Sequence, residues 1–115
     1  MIIRTSNKES IELIRDLRTF RGSNFYGVQK TQDMFVVYSY GTHWPLAVYS
    51  FKARHWWVNI TRRSVSTTRH LSLVRRAVSG FEHTECAHVD VCNLTFYGVD
   101  GYIKYRLEAA VGVAA

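Results

Sequence analysis

The chain has 115 residues, of which 47% are hydrophobic and 21% charged, and its formal net charge is +6. These values fit a single domain over residues 1–115 that buries roughly two-thirds of its unfolded surface, and they exclude wholesale disorder. One proline and seven glycines exclude a collagen-like or proline-rich linker protein, and no apolar run approaches the roughly 18 residues of a membrane span.

Ser6 and Glu9 fit a capping box, in which hydroxyl and carboxylate satisfy orphan backbone donors. Ile11, Leu13, Ile14, Leu17 and Phe20 then recur near helical spacing, and Gly22 reads as the stop. Residues 24–32 form a short mixed run. Met34-Phe35-Val36-Val37-Tyr38-Ser39-Tyr40 is β-branched and aromatic and reads as a strand. Gly41 to Pro45 breaks it, Leu46 to Phe51 resumes it, and His55 to Ile60 is a further strand. The short connections predict an antiparallel meander.

A second helix follows, with Ser66 or Thr67 as its predicted N-cap and Gly80 at its end. Leu71, Val74, Ala77 and Val78 mark its inward stripe, and Arg69, Arg75 and Arg76 fall together on another side. The last third reads as strands. Ala87, Val89 and Val91 alternate with Cys86, His88, Asp90 and Cys92, and Gly98-Val99-Asp100-Gly101 reads as a turn between two more runs. The predicted class is therefore α+β, a mainly antiparallel sheet of five to seven strands with two helices packed on it.

The charge is unevenly placed. Eleven of the fifteen cations are arginine, and between Asp33 and Glu82 there is no acid. That stretch carries Lys52, Arg54, Arg62, Arg63, Arg69, Arg75 and Arg76, with His43, His55 and His70. Arginine pairs bidentately with phosphate and stacks on flat rings, so an anionic partner is expected, nucleic acid or a nucleoprotein complex foremost. A solvated basic surface is the plainer alternative. At the start of the second helix, free amides, the hydroxyls of Ser64, Ser66, Thr67 and Thr68, the guanidinium groups of Arg62, Arg63 and Arg69, and His70 make a candidate anion site. Those hydroxyls have a competing use, which is to cap their own backbone.

Trp44, Trp56, Trp57 and Tyr40 lie close to these cations in sequence, and bases stack on exposed rings. Trp56 and Trp57 are adjacent in a predicted strand and so face opposite sides, one toward the core and one outward. An outward indole would equally serve a protein interface or a homo-oligomer. His83, Cys86, His88 and Cys92 hold the residue types that bind zinc, but Cys86 and Cys92 lie too far apart on a straight strand to share an ion. Zinc is therefore not expected, nor any other cofactor, and a zinc-binding domain using residues 83–92 stands as an alternative reading. No phosphate-binding glycine loop, dinucleotide fingerprint or nucleophile elbow is present, and the reading is non-enzymatic. Two thiols without a C-x-x-C motif, in a chain whose first residues lack a signal-peptide core, point to a reducing compartment and away from membranes.

Tyr38-Ser39-Tyr40-Gly41-Thr42, Pro45-Leu46-Ala47 and Ser64-Val65-Ser66-Thr67-Thr68-Arg69-His70 resemble the motifs of a group of small, uncharacterised tailed-bacteriophage proteins. That pattern runs Y-S-Y-x-T-P-x-A and then S-x-T-T-x-x-H. In this chain His43-Trp44 is inserted before Pro45, and Ser66 replaces a threonine while keeping the hydroxyl. The resemblance covers residues 36–78 and carries no activity or site roles. It implies a phage origin, action in the cytoplasm of an infected bacterial host, and a role in binding host machinery or host defence, as anti-CRISPR proteins do.

Overall fold

Met34 to Ser39 contains no exposed residue. A strand achieves this only when both faces of its sheet are covered. The computed structural model describes residues 3–114, with side chains through residue 104 and that of Arg106. Its elements in chain order are β1 (Ile3–Arg4), α1 (Ser10–Arg15), β2 (Phe20–Arg21), β3 (Phe25–Gln29), β4 (Met34–Ser39), β5 (Pro45–Ser50), β6 (His55–Asn59), α2 (Val65–Val78), β7 (His83–Cys86) and α3 (His88–Ala114). The seven strands form one sheet whose spatial order follows the chain.

The fold is α+β, and its sheet is mixed. The four inner pairings, from β2 to β6, are antiparallel. β1 runs parallel to β2, and β7 parallel to β6. A parallel neighbour needs a crossover, and α2 supplies it between β6 and β7.

Alternation along β4 sorts two cores. Phe35 and Val37 pack with Ile14, Phe25, Trp56, Leu71, Val74 and Val78 beneath α1 and α2. Met34, Val36 and Tyr38 pack with Val48, Val91, Leu94 and Val99 beneath α3. The molecule is thus three layers deep, helices on either side of the sheet.

Three details differ from the sequence expectation. α1 ends at Arg15 rather than at Gly22, because Leu17 takes a left-handed backbone (φ 56°). The Leu17 amide donates to Ile14 O and the Arg18 amide to Leu13 O, the paired bonds of a Schellman cap. Phe20, expected on that helix, enters β2 instead. At the start of α1 only half of the capping box forms: the Glu9 amide donates to Ser6 Oγ, while the Glu9 carboxylate accepts from Thr5 Oγ1.

The largest difference is residues 88–114, which are helical rather than strands, so there are three helices and not two. Among the described residues, the buried apolar side chains there are Val91, Leu94 and Val99, and the first two stand one helical turn apart. Val89, which strand alternation would bury with Val91, is 62% exposed. Gly98, at φ 79° and ψ 169°, breaks the helix into two segments. Asp100-Gly101 lies inside the second segment and makes no hairpin.

Candidate anion-binding site

Ser64, and not Ser66 or Thr67, caps α2. Its extended backbone lets Oγ accept from the Thr67 amide at 3.1 Å, and its carbonyl accepts from Thr68 Oγ1 at 2.8 Å. Ser64 Oγ also donates to Thr67 Oγ1 at 3.0 Å. The hydroxyls of Thr67 and Thr68 are therefore engaged with the chain itself, and Thr67 is buried. Ser66 lines a cavity described below, and Thr68 is exposed beside the arginines that follow.

The arginines divide by position. Arg62 and Arg63 precede α2 and line a shallow cleft with Thr68 and Arg69. A second cleft shares Arg62 and Thr68 and extends to Arg75. Through the shared Arg62 the two clefts join Arg62, Arg63, Arg69 and Arg75 into one cationic band along α2, and the helix dipole adds to the field of the first three, which lie at its N-terminal end. Arg75 also approaches Glu85 at 3.7 Å, a half-exposed pair that leaves its guanidinium accessible. Arg76 stands beside α1, where its carbonyl and that of Ala77 accept from the Arg15 guanidinium. Arg54 lies in the β5–β6 connection, at the end of the sheet opposite the N-terminus of α2.

The aromatics follow the layers. Trp56 is 3% exposed and belongs to the core beneath α2, so it offers no stacking platform. Trp57 faces the other way and is half-buried against the α3 core. The outward face expected for one indole of the pair is therefore largely covered by α3. Trp44 stacks on His88 with ring centroids 3.7 Å apart, and the Arg63 guanidinium lies 4.8 Å from the centre of its ring. Tyr40, 54% exposed, is the ring among the four that stands in solvent.

A cavity of about 410 Å³ opens between the loop before α1, the β2–β3 turn, the end of β4 and the first turns of α2. Lys8 and Arg69 stand on its wall, Tyr40 at its rim, and the lining contains no carboxylate. His70 also lines it and is 6% exposed. The His70 ring stacks on Phe25 at 4.9 Å. Its Nδ1 lies 2.7 Å from Ser39 Oγ, and its Nε2 lies 3.4 Å from Asn7 Nδ2. Burial lowers the His70 pKa from 6.5, which keeps the ring neutral at neutral pH. Ser39 is fully buried, so its bond to the imidazole joins α2 to the sheet and does not present a nucleophile.

Asn7, Lys8, Ser23, Asn24 and Ser39 belong to this site and were missed in the sequence. Asn7 Oδ1 accepts from the Ser23 amide and its Nδ2 donates to Ser23 O, so the side chain clamps the β2–β3 turn. Its one sequence signal is the polar Ser6-Asn7-Lys8 stretch, which fits equally well as an ordinary helix lead-in.

The zinc candidates are spread over two elements. His83 and Cys86 lie on β7, and His88 and Cys92 lie on α3. His88 Nε2 is 3.3 Å from Cys92 Sγ, while the exposed His83 turns back to Phe81 O. Burial, and then the Asp90 charge, push the Cys86 thiol up to about 11. Burial also raises that of Cys92. Among the described residues, no three His, Cys, Asp or Glu side chains converge on a common point.

No family model, curated protein or solved structure matches the chain. No described helix is long and apolar enough to cross a membrane.

Proposed function

We propose that the chain is a non-enzymatic binding module for a polyanion, with nucleic acid or a nucleoprotein complex as its target. The observation that carries this reading is the group Arg62, Arg63, Arg69 and Arg75, which lines two adjoining clefts along α2, the first three at its N-terminal end. Four guanidinium groups spaced along one surface suit successive phosphates, because each pairs bidentately with phosphate oxygens. The phage-like motifs around Tyr38 and Ser64 support a bacterial host as the setting, and inhibition of a host-defence complex as the role.

The test is filter binding to duplex and single-stranded nucleic acid across a salt series. Neutralising three or four phosphates gives a slope of log K against log salt of about −2 to −4. Charge reversal at Arg62 and Arg69 together should remove most of the binding and flatten that slope. Unchanged binding in this double variant refutes the reading.

A second reading, self-association, draws on α3, where Val89, Phe96 and Tyr97 are 62%, 78% and 60% exposed. A concentration-independent monomer mass in light scattering removes it.

A further inference from the structure

We propose that the ligand is a single-stranded nucleic acid, whose backbone runs from the arginine band across the mouth of the His70 cavity to Arg4 and Arg21 at the β1 edge of the sheet. The proposal rests on the polyanion reading and deepens it, since it names the form of the nucleic acid and a second set of contacts.

The pairing of β1 with β2 supplies the main argument. The two short strands run parallel with Arg4 opposite Arg21, so both side chains leave one face of the sheet as neighbours. Both residues are exposed, and they line one cleft with Thr5 and Gly22. Among the described residues neither guanidinium reaches a carboxylate, the cations in ion pairs being Arg15, Lys52, Arg75 and Arg106. The Glu9 carboxylate accepts from Thr5 Oγ1 and is not part of the cleft lining. Like charges opposite each other on neighbouring strands destabilise a sheet. A phosphate between the two groups turns that repulsion into a shared, charge-assisted contact.

The edge cleft is continuous with the arginine band. Arg69 lines both the cleft of Arg62 and Arg63 and the His70 cavity. Asn7 lines that cavity and Gly22 lines the edge cleft. These two residues are in close contact, since a Cβ on Gly22 would collide with Asn7 Oδ1. No carboxylate lines any of the three hollows. Tyr40, exposed at the rim of the middle one, stands where a base can stack.

The course of this path selects the form of the ligand. Phe20, next to Arg21 in β2, belongs to the core beneath α1 and α2, so Arg21 points to the other side of the sheet. Its register partner in β3, Tyr26, packs against the core beneath α3. Arg4 and Arg21 therefore stand on the α3 side, and the band stands on the α2 side. A DNA duplex, with a persistence length of about 50 nm, lies straight against one side of a small domain. A single strand bends around the corner that β1 and β2 make.

The experiment is filter binding across a salt series, with a single strand and with the duplex of the same sequence. The proteins are the parent, Arg4→Gln/Arg21→Gln, and the charge reversal at Arg62 and Arg69. The parent should bind the strand more tightly than the duplex. Arg4→Gln/Arg21→Gln should weaken the strand about tenfold and flatten its salt slope by about 1.4, the share of two phosphates. Its affinity for the duplex should change by less than about twofold. Its melting temperature should be no lower than the parent's, because the substitutions remove a repulsion.

Strand binding that survives Arg4→Gln/Arg21→Gln overturns the proposal, as does an equal loss for strand and duplex. A lowered melting temperature also counts against it, since the two groups would then have partners in the free protein. If the edge variant changes neither form while reversal at Arg62 and Arg69 removes both, the path fails and the arginine band stands. If the edge variant weakens the strand while that reversal leaves it unchanged, the edge contacts stand and the reading built on the band fails.

Discussion

The Nδ1 atom of His70 on α2 lies 2.7 Å from Oγ of Ser39 on β4, with both residues buried, and so a polar bond crosses the interface between helix and central strand. Ser39 occupies a position on β4 where Phe35 and Val37 point into apolar packing. Replacing Ser39 by alanine removes the hydroxyl and leaves a buried imidazole nitrogen unpaired. The expected loss of stability is about 1–3 kcal/mol, read by urea denaturation. Ser39→Cys keeps a weak donor of similar shape and should cost less. Equal stability of Ser39→Ala and the parent would show that the bond contributes nothing net.

The same histidine sets a pH dependence. Its folded pKa lies below 6.5 because burial disfavours the imidazolium. The unfolded chain then binds the proton more tightly than the folded one, so stability falls as pH falls. The contribution is complete above about pH 6.5 and declines as pH drops from there toward the folded value. His88 is shifted in the same direction by burial and then by the Arg63 charge, and it adds to the slope. Urea midpoints should therefore fall between neutral pH and about pH 5. His70→Gln should lose part of that slope even where it lowers stability overall. A slope identical in the variant and the parent would remove His70 as its source.

The middle of the chain was legible because its signals are redundant. Residues 34–60 combine β-branched and aromatic runs with short breaks, and such a run admits few alternatives to a strand. The acid-free stretch named Arg54, Arg62, Arg63, Arg69, Arg75 and Arg76 alike, and helical period put Arg69 with Arg76; that Arg62, Arg63, Arg69 and Arg75 line adjoining clefts while Arg54 lies at the other end of the sheet is visible only in the fold. The last third was misread because Ala87, Val89 and Val91 alternate by composition, while the spacing that folding uses is Val91 to Leu94. Gly98 and Asp100-Gly101 look like turn residues, yet only Gly98 leaves the helix. The Trp56-Trp57 doublet fixed opposite faces but not which face a helix would cover, and once residues 88–97 are helical both are covered. Lys8 and Asn24 reach the His70 cavity through sheet order, from more than 40 residues away, and a linear pattern carries no such distance.

Asp33 organises the end of the sheet far from that cavity. Its carboxylate accepts from Ser50 Oγ at 3.0 Å and from the Lys52 amide at 2.7 Å, and its carbonyl accepts from the Phe51 amide. Ser50 is 1% exposed, so its hydroxyl depends on this partner. Asp33→Ala should lower stability by about 2 kcal/mol, and Asp33→Asn by less, because the amide oxygen can still accept one of the two bonds. Thermal melts of the three proteins check the order. Nucleic-acid binding should not follow it, since the residue lies outside the arginine band.

Helix α3 packs over β4, β5 and β6 on one face of the sheet, and Leu94 is fully buried there beside Val36 and Val48. Leu94→Ala deletes buried methyl groups beneath a helix that can close the gap only in part. A loss of about 2–5 kcal/mol is expected, measured by chemical denaturation. Phe96→Ala, on the exposed side of the same helix, should change stability by no more than about 0.5 kcal/mol. Similar values for the two variants would contradict the placement of α3 over the sheet.

Arg54 separates charge from position. It lies in the same acid-free stretch as the band, but in a turn at the other end of the sheet, with a left-handed backbone (φ 53°). That conformation costs a residue with a Cβ about 1 kcal/mol, and asparagine tolerates it better than most. Arg54→Asn should therefore stabilise the fold by about 0.5–1 kcal/mol. It also lowers the net charge by one, as Arg69→Gln does. A partner attracted by total charge alone loses similar affinity in both variants, whereas one held by the band beside α2 loses it with Arg69 and keeps it with Arg54. Filter binding of the two proteins at a single salt concentration, with melting curves taken alongside, decides between these outcomes.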